Sequence, residues 1–554
     1  MRRCAPLILI ALLLAGEAMA WQIVEFCPDT YLPNDADEYI VLEGNGTLDG
    51  YFISDGEGSV RFPGSTRADG RIVVAREGDA FCRTHSNPPD FELFNTRSEI
   101  PDAIRVGRFQ LANTADELIL YQGATVLQKV SWPADLRARE GQVHYFENGI
   151  WDPRPLFLGQ TRLEPFSVSN VTLVAFVSPD SAYPAFAQAI GGAKREILVN
   201  VYLFTNGRQA EELTVAAGRG VQVRVLIEGG PVGGIPAEGS ITAGLLMRSD
   251  IPVLQMKKAG DTRKRYRFNH AKYMVIDREA VFITSENFDP NGFPREGERG
   301  NRGWGVYIRS PEMAGYFADL FLADSMGYDI SPAEPIDGEI PYFKDTPYTP
   351  EFPAISFTGA NITAVISPDT SRLINDLLED ATSSIEIEQA YIQNWSGNSP
   401  NPYLEAALNA ARRGVRVRIL LDSYWFNTEG EMDNDEMVPF LRRVARGEDL
   451  PLEARLASLS SSGIEKIHNK GVIVDGRRVL ISSINWNENS PLYNREAGVI
   501  IESPEVARYF LGVFEDDWRA AESDKAKGPD MLKIGVAAAV VFLLLLQYLV
   551  NRRR

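Results

Sequence analysis

Short apolar, β-branched runs broken by polar turns recur along the chain in two styles. Between residues 21 and 133 they alternate apolar with polar, as in "EYIVLEG", "GYFISDG", "RIVVAR" and "DELILY", with Gly, Asp, Asn and Pro between them. That pattern predicts half-buried strands of a small all-β sandwich. From residue 168 the runs become more continuous and are spaced by helical stretches, which predicts α/β layers. This second region is written twice. "NVTLVAFVSPDSAYPAFAQAI" from Asn170 parallels "NITAVISPDTSRLINDLL" from Asn361, each reading as strand, Ser-Pro-Asp and helix. "GRGVQVRVLIEGG" (Gly218 to Gly230) parallels "RRGVRVRILLDSY" (Arg412 to Tyr424), a helix-closing Gly followed by a strand that ends in Glu228 or Asp422. The expected organisation is a sandwich at 21–133, a linker at 134–167, α/β halves at 168–330 and 361–525, and a Pro-rich connector at 331–360.

A chemical pattern sits inside the repeat. The chain has four His, and two of them share a local setting. His270, Lys272 and Asp277 stand in "HAKYMVID", and His468, Lys470 and Asp475 stand in "HNKGVIVD", 198 residues further on. Each His is followed 17 residues later by an Asn closing a Ser-x-Asn triplet, Ser285 with Asn287 and Ser483 with Asn485. Strand side chains alternate faces, so His and Lys at i and i+2 share a face and the Asp at i+7 takes the other. Asp277 and Asp475 are therefore expected to be structural. His85 and His144 have no matching context.

Imidazole, ammonium, hydroxyl and carboxamide on one face suit a tetrahedral oxyanion, and two such faces opposed make a phosphodiester site. Lys272, Lys470, Asn287 and Asn485 neutralise the equatorial oxygens. In such a site one His can attack phosphorus while the other protonates the leaving alcohol, through a phosphohistidine. No metal or other cofactor is expected, because lysines and asparagines carry the charge compensation.

These residues resemble the phospholipase D superfamily, whose signature is a repeated HKD motif followed by Gly-Ser-x-Asn. The resemblance covers roughly 168 to 525 and implies two pseudo-symmetric α/β halves with the active site between them, His270 as nucleophile and His468 as general acid. The glycine of the Gly-Ser-x-Asn element is replaced by Thr284 and Ser482. Glu496 in "NREAGVII" resembles the carboxylate that orients a catalytic imidazole, and is expected to favour a reactive His468. The matching first-half stretch, "NRGWGVYI", has Gly303 there, with Glu296 or Glu298 as candidate substitutes. The N-terminal sandwich resembles a lamin-tail domain and is expected to be immunoglobulin-like.

Residues 1–20, with Arg2, Arg3, an apolar run and "AMA", predict a secretory signal. Its removal would leave Cys27 and Cys82, expected to form a disulfide in an oxidising compartment. "IGVAAAVVFLLLLQYLV", Ile534 to Val550, predicts one transmembrane helix at 531–550 with the terminal arginines inside and the enzyme outside, at the cell surface. A net charge of −19 argues against general affinity for nucleic acid, although the run Lys257 to Lys272 is locally basic. A phospholipid is the expected substrate partner, with the membrane held through the C-terminal helix. A metal-independent nuclease and a decayed binding protein are the competing readings.

Overall fold

The computed structural model describes residues 20–260, 262–340, 346–396, 399–430 and 433–527. The expected signal peptide, except its last residue, and the expected helix at 531–550 lie outside the described residues. Among the described residues no helix is long and apolar enough to cross a membrane. Two compact units are present. One consists of residues up to 160 together with 259–265, and the other of residues 161–258 and 266 onward.

The first unit is a two-sheet sandwich. A six-stranded sheet runs Ile150–Trp151, His144–Glu147, Gln22–Cys27, Tyr39–Thr47, Arg67–Glu77 and Phe91–Phe94. A five-stranded sheet runs Ile104–Gly107, Gly58–Arg61, Tyr51–Ser54, Asp116–Gln122 and Thr125–Trp132. Alternate residues of the two sheets, Phe26, Ile40, Leu42 and Val74 against Ile53, Val60, Leu118 and Val130, share one core. The expected linker is partly structured, since His144–Glu147 pairs with Gln22–Cys27 and so extends the sandwich past residue 133.

The expected disulfide is not formed, and Cys27 and Cys82 are both free. On the helix Gly78–Thr84 it is Phe81 that packs beside Cys27. The next helical position is turned about 100° away, and Cys82 lies instead near Arg97. Arg263, from the basic run, pairs with Glu140 at 2.6 Å within this unit.

The second unit is built on one fifteen-stranded sheet. From one edge to its centre run Ile330–Pro332, Val253–Met256, Gln222–Glu228, Glu196–Val201, Lys272–Ile276, Ala280–Thr284, Gly303–Arg309 and Ser167–Ser178. Beyond the centre come Ile355–Ser367, Glu496–Glu502, Arg478–Ser482, Lys470–Val474, Ser384–Gln389, Arg416–Leu421 and Leu452–Leu456. Apart from the short edge strand the order is a palindrome of the two repeats, joined where Ser167–Ser178 pairs antiparallel with Ile355–Ser367. The equivalent asparagines meet at that seam, the Asn170 amide donating to Asn361 Oδ1 at 3.3 Å. The second of these strands begins at Ile355, inside the expected connector, and Ile330–Pro332 is an edge strand, so the Pro-rich segment is flanked more closely by regular structure than its composition predicts.

Both faces of the sheet are covered, as the near-continuous apolar strands require. On one face the helices Pro311–Asp324 and Pro504–Lys527 add Phe317, Phe321, Phe510 and Phe514 to a core that runs unbroken across both halves. On the other, each half has its own core. Helices Ala182–Gly192, Gly207–Gly218 and Ala237–Met247 cover the first half, and Leu373–Glu379, Pro402–Arg412 and Asn434–Gly447 the second. The shared core fixes the halves to each other, and side chains at the strand ends near the seam can form one site.

Unfolding the protein without reductant and treating it with a maleimide should label Cys27 and Cys82 in full. Mass spectrometry finding a linked Cys27–Cys82 peptide would contradict the arrangement.

Candidate active site

Each motif histidine is held by its backbone just before a buried strand. Asn269 donates its amide to Glu228 Oε2 and Ile467 donates to Asp422 Oδ1, at 2.7 and 2.8 Å. The two acidic strand ends visible in the repeat therefore clamp the residues that precede His270 and His468. The next amides cross between halves. His270 N donates to Arg495 O at 2.8 Å and His468 N donates to Arg302 O at 2.9 Å.

Those two arginines are fully buried. Arg302 bonds Asp180 at 2.8 Å and Asp517 at 2.7 Å. Arg495 bonds Asp369 at 2.9 Å and Asp324 at 3.0 Å. Asp180 and Asp369 belong to the repeated Ser-Pro-Asp segments, while Asp517 and Asp324 lie on the shared-face helices of the opposite halves.

Asp277 and Asp475 sit in turns with φ of 56° and 55°. Asp277 accepts from the amides of Lys194, Arg195 and Glu196, and Asp475 from those of Thr382, Ser383 and Ser384. Partial burial works against their charge, but these amides win and hold both carboxyls below the usual range. Both lie in turns beyond the ends of the motif strands farther from the histidines, so their place is set by the turn and not by alternation along the strand.

At the near ends, His270 Nδ1 lies 2.8 Å from Glu496 Oε2. Glu496 Oε1 accepts from Ser490 Oγ at 2.7 Å and Asn494 Nδ2 at 3.1 Å. Burial opposes the charge on Glu496, yet His270 and Lys272 leave its carboxyl below the ordinary range. Burial takes the His270 imidazole down to about 4 in spite of Glu496. At neutral pH the pair is thus a carboxylate accepting Nδ1–H from a neutral imidazole, with Nε2 carrying a lone pair.

His468 has a different partner. Its Nδ1 is 3.3 Å from Glu286 Oε2 without a hydrogen bond between them. Burial pushes the Glu286 carboxyl up to about 7, although Asn301 donates to it at 2.9 Å and Lys470 is nearby. Burial, then Lys470 and Lys466, draws His468 well below its ordinary value. Near neutrality the Glu286 carboxyl is therefore partly protonated, while the His468 imidazole is neutral.

Lys272 and Lys470 are wholly buried and donate to the carbonyls of His270 and His468, at 2.8 and 2.5 Å. Burial lowers Lys272 to about 8. Lys470 is lowered further by burial and by Lys272. His270 and Lys272 each act electrostatically on His468, so the two motifs converge. The Tyr202 ring lies edge-on to His270 at 4.6 Å. Asn287 is partly exposed and its Oδ1 is buried without a partner; Asn485 is its counterpart in the other half.

Three sequence-based expectations change. Glu496 supports His270, not His468, because the strand that carries it lies across the seam next to the first motif. The carboxylate absent at Gly303 comes neither from Glu296, which is exposed, nor from Glu298, which accepts from the Arg295 amide at 3.1 Å. It comes from Glu286, the middle residue of "TSEN". A Cβ at Gly303 would fall 2.2 Å from Glu286 Oε1, so the glycine makes the room that Glu286 fills. The second half has the reverse pair, Ile484 in the triplet and Glu496 after the arginine. That exchange was legible in "TSEN…NRG" against "SSIN…NRE". Finally, Ser285 and Ser483 are buried and accept from the amides of Trp304 and Ala497, at 3.1 and 3.0 Å. Their hydroxyls pin adjacent strands, and Ser483 also bonds Glu496.

The family model described as "Cardiolipin synthase, PLD-like domain" matches residues 186–325 and 374–518, about half of the chain. The chain belongs to this PLD-like family. Among its relatives, "Cardiolipin synthase A" of Serratia proteamaculans is 24% identical over 68% of this chain and 76% of its own length. The "5'-3' exonuclease PLD3" of Xenopus tropicalis is 24% identical over 56% of this chain, and the match spans 66% of that relative, just under two thirds. Among solved structures, the phosphatidylserine synthase of Haemophilus influenzae aligns with a TM-score of 0.46 at 15% identity, over 63% of this chain and 88% of that one. The phospholipase D family member Nuc of Salmonella typhimurium aligns at 0.25 with 23% identity, over 31% and 99%.

Gly303→Ala should cost about 1–3 kcal/mol by overpacking and displace Glu286. Glu286→Ile and Gly303→Glu should each lower kcat by roughly 100-fold or more. Combining these two rebuilds the second-half arrangement in the first and should recover at least about tenfold over the weaker single variant. Strict additivity of the two losses in steady-state kinetics would refute the exchange.

Proposed function

We propose that the protein is a phosphodiesterase acting on phospholipids by hydrolysis or phosphatidyl transfer, with His270 as nucleophile and the His468–Glu286 pair as proton donor. The observation that carries this reading is the convergence of two imidazoles on unequal carboxyls, His270 Nδ1 2.8 Å from a Glu496 held below the ordinary range and His468 Nδ1 3.3 Å from a Glu286 pushed up to about 7. His270 Nε2 attacks phosphorus as the bond to the leaving oxygen breaks. An anionic phosphate between the motifs raises His468, so the Glu286 proton passes to the imidazole and then to the departing alkoxide. Water or an acceptor alcohol next attacks the phosphohistidine, gives its proton to His468, and frees His270. Lys272, Lys470, Asn287 and Asn485 balance the equatorial charge throughout.

The relatives named as cardiolipin synthases support the lipid reading, and the relative named as an exonuclease supports a nuclease as its competitor. Export, a C-terminal tether in the membrane with the enzyme outside, and a lamin-tail-like, non-catalytic sandwich complete the proposal.

Headgroup release from phospholipid vesicles in the presence of a chelator should fall by at least about 10³-fold in His270→Ala and in His468→Ala. An acid quench should trap phosphohistidine at His270 in the wild type. Cleavage of single-stranded DNA or RNA with no lipid turnover would favour the nuclease, and substantial activity left in either variant would contradict a joint centre. The pH profile should be bell-shaped. Its acid limb, near 4, reports protonation of His270; its alkaline limb, near 7, reports loss of the Glu286–His468 proton. Glu286→Gln should shift the alkaline limb and leave the acid limb in place.

A further inference from the structure

Two of the most exposed apolar spots in the second unit lie on equivalent loops of the repeat. Val232 is 74% exposed, and Trp425 and Phe426 are 55% and 67% exposed. Val232 follows the strand that ends at Glu228, and the aromatic pair follows Asp422, the residue just past the end of Arg416–Leu421. Both loops are tied to the histidines. The Val232 amide donates to Tyr202 Oη at 2.8 Å, and the Tyr202 ring lies against His270. Asn427 donates to Asp422 Oδ2 at 2.9 Å, while the other oxygen of Asp422 holds Ile467, next to His468. Trp425 sits between Tyr424 and Phe426, each ring centroid 5.8 Å from its own, so the tip is one aromatic cluster.

Neither tip carries a charge from Gly229 to Pro236 or from Ser423 to Thr428, and the first charged residues that follow are Glu238 and Glu429. A loop that tracked nucleic acid would place Lys or Arg beside its stacking rings. Acidic flanks repel a polyanion. Tryptophan and phenylalanine on an uncharged tip suit the boundary between headgroups and acyl chains.

We propose that these loops form two apolar lips around the catalytic cleft that dock on a lipid–water interface of zwitterionic phospholipid, so that the enzyme draws substrate from an aggregated surface. The proposal rests on the lipid reading of the site and adds the surface on which that site works.

Full-length protein reconstituted in phosphatidylcholine vesicles with brominated acyl chains provides the test. Bromine quenches a tryptophan only at contact, and Trp425 is one of eight in the chain. The wild type should show a quenched component that Trp425→Phe lacks. Equal quenching in both proteins overturns the lips, and so does quenching of Trp425 by a single-stranded oligonucleotide but not by bromolipid. This readout needs no turnover, so it stands or falls separately from the chemistry of the site. In kinetics, Trp425→Ser combined with Phe426→Ser should lower by at least about tenfold the ratio of turnover on vesicular phosphatidylcholine to turnover on a short-chain analogue below its micellar concentration. An unchanged ratio would overturn interfacial docking even if both substrates were cleaved.

Discussion

Two buried guanidinium groups hold the active site together. Arg302 and Arg495 each lie between a carboxylate of their own half and one carried by the opposite half's helix, and each gives its backbone carbonyl to the motif histidine of the other half. Removing one member of such a buried set typically costs about 3–5 kcal/mol, because the remaining charge has no water to turn to. A relative shift of the halves would break these pairs and pull each histidine from its carboxylate at once. The Ser-Pro-Asp segments and the helices Pro311–Asp324 and Pro504–Lys527 thus serve a purpose beyond packing.

The two copies of this device are not electrically equal. Beside Arg495 stands Asn200, whose amide lies 3.5 Å from Asp324. Beside Arg302 the same strand position is Glu388, fully buried and pushed up to about 8 by burial and by Asp517. Two aspartates already surround one arginine there, and a third ionised carboxylate would be an uncompensated buried charge. Glu388 is therefore protonated at neutral pH and takes the place of the amide. The same logic divides the imidazoles. A carboxylate fastened by Ser490 and Asn494 stays ionised beside His270, while one with an unpartnered oxygen keeps its proton beside His468. Nearly equivalent geometry thus gives the two imidazoles carboxyls of unequal acidity.

What the sequence disclosed follows from local periodicity. The motif strands and the repeat of strand and helix depend on neighbours within a few residues, where periodicity is decisive. What it concealed lies across the seam. His270 meets Glu496, 226 positions away, and only the pairing of Ser167–Ser178 with Ile355–Ser367 decides which histidine that carboxylate reaches. Ser285 and Ser483 alternate correctly, but register turns their hydroxyls on to the next strand's amides. Counting cysteines pairs Cys27 with Cys82, whereas the direction of a side chain on a short helix decides whether two thiols can meet.

The lysines show why the site should favour a phosphodiester. Lys272 and Lys470 are buried, Lys272 is close enough to weaken the hold of Lys470 on its proton, and each donates to one carbonyl of its own motif. An ammonium group has three donors, so both keep donors to spare. Repulsion between them is built in by strands whose cores do not yield, and it is relieved when an anion lies between them. A phosphoryl-transfer transition state spreads its charge over its equatorial oxygens, where spare ammonium donors give the greatest relief. The lysines are thus charges fixed in advance by the shared core, in the half-to-half arrangement that the same crossed arginines hold for the histidines.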